Sequence, residues 1–320
     1  MLNEDASVQI KYWGVRGSLP SPLDPRDYRS RIQEVLKRSK SAWKENPDLS
    51  EEAMFDSLPP YLAGVVGGDT TCVELRSGEE QLIFDLGTGA RRLGYDMLAR
   101  GHKGDLHVLM THTHWDHIQG WPFFAPGFIP GNHVHFHSCI PDCEQRFTRQ
   151  QEFEYFPLAF KDMQAQRTFH TYDQGDSFDI GSFKVKTEAL IHPGGSTSYR
   201  VDQGKKTFIF ATDTEFYGPE LKTLIKKKKP FFKGADLLVM DAQYSLKESE
   251  QKIGWGHTAM VIAVDCAIEW GVKKLALTHH EPAHDDASTY RLFEEALEHN
   301  RQYGDALEIT LARQGEIMDI

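Results

Sequence analysis

The sequence predicts an α/β fold, and three observations carry that expectation. Apolar runs of strand length recur along the chain, helical-period stretches alternate with them, and histidines and aspartates cluster just after several of the runs. In chain order the strand-like runs are VQIKYW (8–13), TCVELR (71–76), QLIFDL (81–86), DLHVLMT (105–111), SFKVKTEAL (182–190), TSYRV (197–201), KTFIFATD (206–213), ADLLVMDA (235–242) and KKLALTH (273–279). Helical patterns fit 89–100, 116–124, 141–151, 218–229, 258–271 and 285–299. Pro141 and Pro219 stand where a first helical turn tolerates proline, and Gly271 stands where a helix ends.

Composition narrows the function classes. The 320 residues hold 36 Lys+Arg against 47 Asp+Glu, a formal charge of −11. Duplex affinity comes mostly from basic side chains on phosphates, so this balance weighs against a general nucleic-acid binder while leaving room for a small phosphorylated substrate. No run approaches the roughly 20 apolar residues of a membrane span. The start, MLNEDASVQIKYW, lacks a basic stretch followed by an apolar one, so a cytoplasmic location is expected. Cys72, Cys139, Cys143 and Cys266 are too few for a disulfide framework and read as ordinary thiols.

Residues 20–62 read as an insertion in an otherwise single domain spanning 1–320, bounded by SLPSPLDP and LPPYLAGVVGG. Within it, Tyr28, Ile32, Val35, Leu36 and Trp43 share one helical face, which predicts a helical hairpin packed on the body. Segment 26–44 carries seven basic residues against two acidic ones. A solvated charged face explains them, with a substrate-facing lid or dimer contact as the other reading.

The chemistry concentrates in THTHWDHIQG (111–120), where His112, His114, Asp116 and His117 fall within six residues after a strand. Side chains on a strand alternate, so His112 and His114 point the same way, and the following turn can present Asp116 and His117 to a second point nearby. That spacing suits two metal ions. Clustering these groups without a metal would bury several polar groups with nothing to pair them. Trp115, inside the motif, reads as packing.

At these residues the chain resembles the metallo-β-lactamase superfamily, and the resemblance runs through most of its length. Asp85 in LIFDLGTG looks like that family's first-motif aspartate, His192 in ALIHPGG its third-motif histidine, Asp213 in FIFATDTE its bridging aspartate, and His279 in LALTHH its last ligand, with His280 the rival. The resemblance implies a four-layer αβ/βα sandwich whose halves divide near 170–176. It also implies one metal held by His112, His114, His192 and Asp213 and a second by Asp116, His117, Asp213 and His279. Nitrogen and carboxylate ligands without thiolate suit Zn2+, with Mn2+ or Fe as alternatives.

The segment LLVMDAQYSLKESEQKIGWGHTAM resembles the tRNA-3′-processing endonucleases and cyclic phosphodiesterases of the superfamily. Asp241 stands where the tRNA endonucleases carry the histidine of an H-E-A-T motif. The opening YWGVRGSLPSP and the pair GGDTTCVEL and LIFDLGTG are similar to a subgroup described as phosphoribosyl 1,2-cyclic or cyclic-nucleotide phosphodiesterase-like. The expected function is therefore hydrolysis of a small cyclic phosphodiester by a dinuclear-metal enzyme. Asp116 would orient the nucleophile, His257 would contact the phosphate or the leaving group, and Asp241 would support His257. The alternatives are a nuclease acting on RNA 3′ ends, a hydrolase of thioesters or lactams, and a metal-bearing cyclic-nucleotide sensor. The expected partner is a small molecule rather than nucleic acid or membrane, and the resemblance also implies a homodimer.

Overall fold

A computed structural model describes residues 7–320, so residues 1–6, part of the start on which the leader reading rests, lie outside it. Among the described residues, fourteen strands form two seven-stranded sheets. The first contains β1 (Val8–Gly14), β2 (Cys72–Ser77), β3 (Glu80–Phe84), β4 (Asp105–Met110), β5 (His133–Ser138), β6 (Gln166–Thr171) and β14 (Ile317–Asp319), in the order β14-β1-β2-β3-β4-β5-β6. The second contains β7 (Ser177–Ile180), β8 (Phe183–Leu190), β9 (Ser196–Gln203), β10 (Lys206–Ala211), β11 (Leu237–Asp241), β12 (Lys274–Thr278) and β13 (Glu308–Leu311), ordered β13 back to β7. The chain passes from one sheet to the other between β6 and β7, within the segment where the two halves were expected to divide.

The helices are α1 (Pro25–Glu45), α2 (Glu51–Asp56), α3 (Pro60–Ala63), α4 (Ala90–Ala99), α5 (Trp115–Ile118), α6 (Cys143–Gln150), α7 (Leu221–Phe232), α8 (Leu246–Gln251), α9 (Met260–Trp270) and α10 (Asp286–Arg301). Between the sheets, Phe84 sends its ring against Tyr199, Phe208 and Phe210. On the outer face of the first sheet, Leu106, Val108 and Phe136 share a core with Leu93 and Met97 of α4 and Phe147 of α6. Each fully buried side chain of this kind stabilises the fold by about 1.5–3 kcal/mol. None of the helices among the described residues is long and apolar enough to cross a membrane.

Three local differences from the sequence reading have physical causes. The helix expected over 116–124 stops at Ile118 and continues as two 3-10 turns, because Gly120, Pro122 and Pro126 break the α-helical ladder. Strands β5 and β6 carry few apolar residues, and β7, β13 and β14 are only four, four and three residues long, so all five escape the hydrophobic pattern; β5, HVHFHS, alternates histidine with its two apolar residues. In α1 the expected packing face is turned outward: Tyr28 is 57% and Leu36 62% exposed, with Ile32 and Trp43 also exposed. Only Val35 of that set joins the small core of Met54, Leu58 and Leu62, because α2 and α3 fold against one flank of α1.

Candidate metal centre

The singled-out residues gather where strands end. Asp85 follows β3, His112 and His114 follow β4, His192 follows β8, Asp213 follows β10, Asp241 closes β11 and His279 follows β12. β3 and β4 run parallel in one sheet, as do β10, β11 and β12 in the other, so their C-terminal ends open on one edge of the sandwich. Open α/β sheets bind ligands at that kind of edge.

The side chains form two adjoining groups. In the first, His192 Nε2 lies 3.0 Å from His114 Nδ1, and His112 and His192 turn Nε2 toward Asp213 Oδ1 at 3.6 and 3.7 Å. In the second, His117 Nε2 lies 3.2 Å from Asp116 Oδ2, 3.1 Å from Asp213 Oδ2 and 3.3 Å from His279 Nε2. His279 Nε2 is in turn 3.1 Å from Asp116 Oδ2 and 3.2 Å from Asp213 Oδ2. A tetrahedral zinc site with bonds of about 2.0–2.1 Å has ligand-to-ligand edges of about 3.3 Å. The donor set fits a divalent cation on a second count: His112 Nε2 is buried without a hydrogen-bond partner among the described residues.

The far side of each ring is fixed. A carboxylate or carbonyl oxygen only accepts, so His117 donates Nδ1–H to Asp85 Oδ2 at 2.8 Å and His192 donates Nδ1–H to the Gly256 carbonyl at 3.0 Å. His279 Nδ1 meets Gln243 Oε1 at 3.2 Å. Each contact leaves Nε2 free toward the centre, the usual device for orienting a ligating imidazole. Asp85 is further held by the backbone N–H and hydroxyl of Thr111, at 2.8 and 2.7 Å. Asp85, Asp213 and His279 adopt left-handed backbone with φ near 60°, a conformation that costs non-glycine residues energy and collects at functional sites.

Electrostatics follow from this crowding. Burial opposes ionisation of Asp116 and Asp213, yet the neighbouring histidines, His117 foremost, hold both well below the ordinary carboxylate range. Burial likewise opposes charge on His117 and His279, but Asp213 and Asp116 outweigh it, raising His117 well above its ordinary value and His279 to about 9. His112 goes the other way, driven down by burial and by His117. His280 faces away: its Nε2 bonds the Ala312 carbonyl, and burial pushes it down to about 3. The structure thus brings His279 rather than His280 to the centre.

Beside the second group, His257 donates Nδ1–H to Asp241 Oδ2 at 2.7 Å. Asp241 is wholly buried and also accepts the backbone N–H groups of Thr258 and Asp213, at 3.0 and 3.1 Å. Three further residues escaped the sequence reading. The backbone N–H of Ser18, itself at φ 58°, reaches Asp116 Oδ2 at 2.7 Å. Gln243 ties His279 to Glu281 and Ser18, and Glu215 accepts the N–H groups of Gly254 and Gly256, fixing the loop that holds His192. A Ser after Gly17 and a Gln two residues past Asp241 carry no signal of their own in sequence.

The cleft above the centre is lined by Ser18, Thr113, His114, Trp115, Asp116, Asp213 and His257. Trp115 is not packing: it is 82% exposed at the rim, next to a groove of about 620 Å3 with Phe123, Tyr155 and Arg149 in its walls.

A family model described as a beta-lactamase superfamily domain matches residues 86–280. A ribonuclease Z of Lactococcus lactis subsp. lactis (strain IL1403) is 27% identical over 227 residues, covering 54% of this chain and 69% of the relative. Among solved structures, the metallo-beta-lactamase fold protein YhfI from Bacillus subtilis superposes with a TM-score of 0.65 at 17% identity, covering 99% of this chain and all of that one. A diphosphatase of the PhnP family superposes with a TM-score of 0.60 at 18% identity, covering 98% of each chain.

Proposed function

The chain belongs to the beta-lactamase superfamily as a metal-dependent hydrolase, and on that premise we propose that it opens a small phosphodiester, a cyclic nucleotide or related cyclic phosphate, at a pair of divalent cations. The observation that supports this reading is Asp213, which presents Oδ1 to the His112/His192 group and Oδ2 to the His117/His279 group. A carboxylate shared in this way suits two ions: one among His112, His114, His192 and Asp213, the other among Asp116, His117, Asp213 and His279. Their imidazole and carboxylate donors favour zinc, with manganese or iron as substitutes. When bound, such a pair lowers the pKa of water toward neutrality and offsets charge on a phosphoryl oxygen.

The chain's own residues supply the rest. Asp116, pinned by the Ser18 N–H, is placed to orient a water for attack on phosphorus. His257 lines the cleft with Nε2 free, in position to pass a proton to the departing ester oxygen. Asp241, on Nδ1, fixes the ring and offers a counter-charge to the imidazolium, as a buried carboxylate does in other acid–base pairs. Water oxygen joins phosphorus, the ester oxygen leaves with a proton, and a cyclic diester becomes a monoester. Trp115 at the rim favours a diester bearing a base, because an exposed indole is a stacking face.

A second reading, cleavage at RNA 3′ ends, is favoured by the ribonuclease Z similarity and by the basic run in 26–44. The net charge of −11 and the DAQY segment at Asp241 weigh against it. The deciding experiment offers metal-reconstituted protein 3′,5′-cyclic AMP and GMP beside a structured RNA with a 3′ trailer. Turnover of the cyclic nucleotides is expected. Cleavage of the RNA alone would install the second reading, and no hydrolysis of any diester with metals bound would sink both.

A further inference from the structure

Away from the cleft, five histidines line the inner face of the first sheet at its free edge. They are His107 on β4, His133, His135 and His137 on β5, and His170 on β6, placed by the parallel registers His107↔His135 and His137↔His170. The same strands turn Val134, Phe136 and Phe169 to the opposite, helix-covered face. His107 stacks on His135 with ring centroids 4.8 Å apart, and His137 on His170 at 4.7 Å. Apolar side chains would stabilise such a stripe more; imidazoles from three strands are a costly way to fill it.

At the outer end of the stripe the geometry points to a separate metal site, and we propose that Asp105, His133 and His135 bind one divalent ion of the zinc or copper(II) class. His133 and His135 sit two apart on one strand, so both project to the same side. Asp105 is the register partner of His133 on the neighbouring strand. Asp105 Oδ1 lies 3.1 Å from His135 Nε2 and 3.7 Å from His133 Nδ1, close to the edges of a coordination tetrahedron. One ligand atom from each of the three residues falls within 4.8 Å of the others.

The outward nitrogens already have partners that hold the rings in this pose. His133 Nε2 meets Thr168 Oγ1 at 2.7 Å, and His135 Nδ1 meets His170 Nε2 at 3.2 Å. With Nε2–H of His133 donated to Thr168 and Nδ1–H of His135 donated to His170, lone pairs on His133 Nδ1 and His135 Nε2 face the carboxylate. Two imidazoles and a carboxylate suit zinc, copper(II) or nickel(II) over calcium or magnesium. Asp105 is 68% exposed at its side chain, so an ion reaches the site from solvent and leaves water on its open positions. His107 and His112 are five residues apart along β4 and its exit, about 16 Å at strand rise, so this ion is remote from the cleft.

The test is Zn2+ stoichiometry of the full chain after equilibrium dialysis and elemental analysis, for wild type, His133→Ala/His135→Ala and Asp105→Asn. Wild type is expected to hold one equivalent more than the histidine pair variant, while both hydrolyse bis(p-nitrophenyl) phosphate equally, which identifies the missing ion as the outlying one. Asp105→Asn, at an exposed position, is expected to weaken that equivalent at least tenfold. Titrated with Cu2+, wild type should show one equivalent more of nitrogen-coupled signal in its electron paramagnetic resonance spectrum than the pair variant, whose remaining signal comes from the cleft histidines. Equal zinc content in wild type and both variants, or loss of turnover together with the ion, would overturn the proposal.

Discussion

Asp241 holds His257 at the rim of the cleft: Asp241 Oδ2 accepts Nδ1–H of His257 at 2.7 Å, while Asp241 Oδ1 accepts the Thr258 N–H at 3.0 Å. The carboxylate is therefore committed on both oxygens and the imidazole is left with Nε2 alone to act. If His257 passes the proton, His257→Ala lowers kcat by about 10²–10⁴-fold with metal content unchanged. Asp241→Asn keeps the side-chain shape and offers a donor where an acceptor is needed, so kcat falls and the pH–rate profile shifts. Steady-state kinetics beside elemental analysis check both.

Gly256 sets the position of His192. Its φ of +89° is left-handed, and a Cβ there would stand 2.0 Å from His192 Nδ1. Gly256→Ala is expected to displace the imidazole and weaken metal binding by about 10–100-fold, the usual cost of disturbing a group that orients a ligand. A zinc titration against a chromogenic chelator measures it.

Protonation gives a pH signature to the metal-free protein. His279 is raised to about 9, against 6.5 for an ordinary histidine. A raised histidine contributes stability that is fully present below pH 6.5 and is lost as the pH climbs through about 9. Tm of the chelator-treated protein is expected to fall across that window. At pH 7 metal uptake must displace the protons on His117 and His279, roughly two in all, which calorimetry in buffers of different ionisation enthalpy reads directly.

Trp115 tests the nature of the substrate. A base stacked on the indole would be worth about 1–3 kcal/mol, so Trp115→Ala raises KM for a cyclic nucleotide by roughly ten- to hundredfold. Trp115→Phe is expected to recover part of that. Equal KM in all three proteins would separate Trp115 from substrate.

The residues of the centre were legible because H-x-H-x-D-H compresses four donors into six positions, and because Asp85, His192, Asp213 and His279 each close an apolar run. The exposure of Trp115 was not, since the motif sets the backbone turn and says nothing of which neighbours reach the indole. The outward face of α1 was equally hidden: a periodic stripe of Tyr28, Ile32 and Leu36 says that a face exists and nothing about which neighbour reaches it. Ser18 and Gln243 act through a backbone N–H and an amide placed by distant chain segments, which no local pattern encodes. Strand β5 hid for the opposite reason, since its histidines masked a period of two that Val134 and Phe136 obey.

The most direct test of the proposed dinuclear centre is a zinc titration of chelator-stripped protein, following turnover of bis(p-nitrophenyl) phosphate, beside Asp116→Ala. Activity is expected to rise from near zero to a plateau as about two cleft equivalents fill, with Asp116→Ala inactive throughout. Full turnover by the stripped protein, or a rate in Asp116→Ala equal to wild type, would contradict the account.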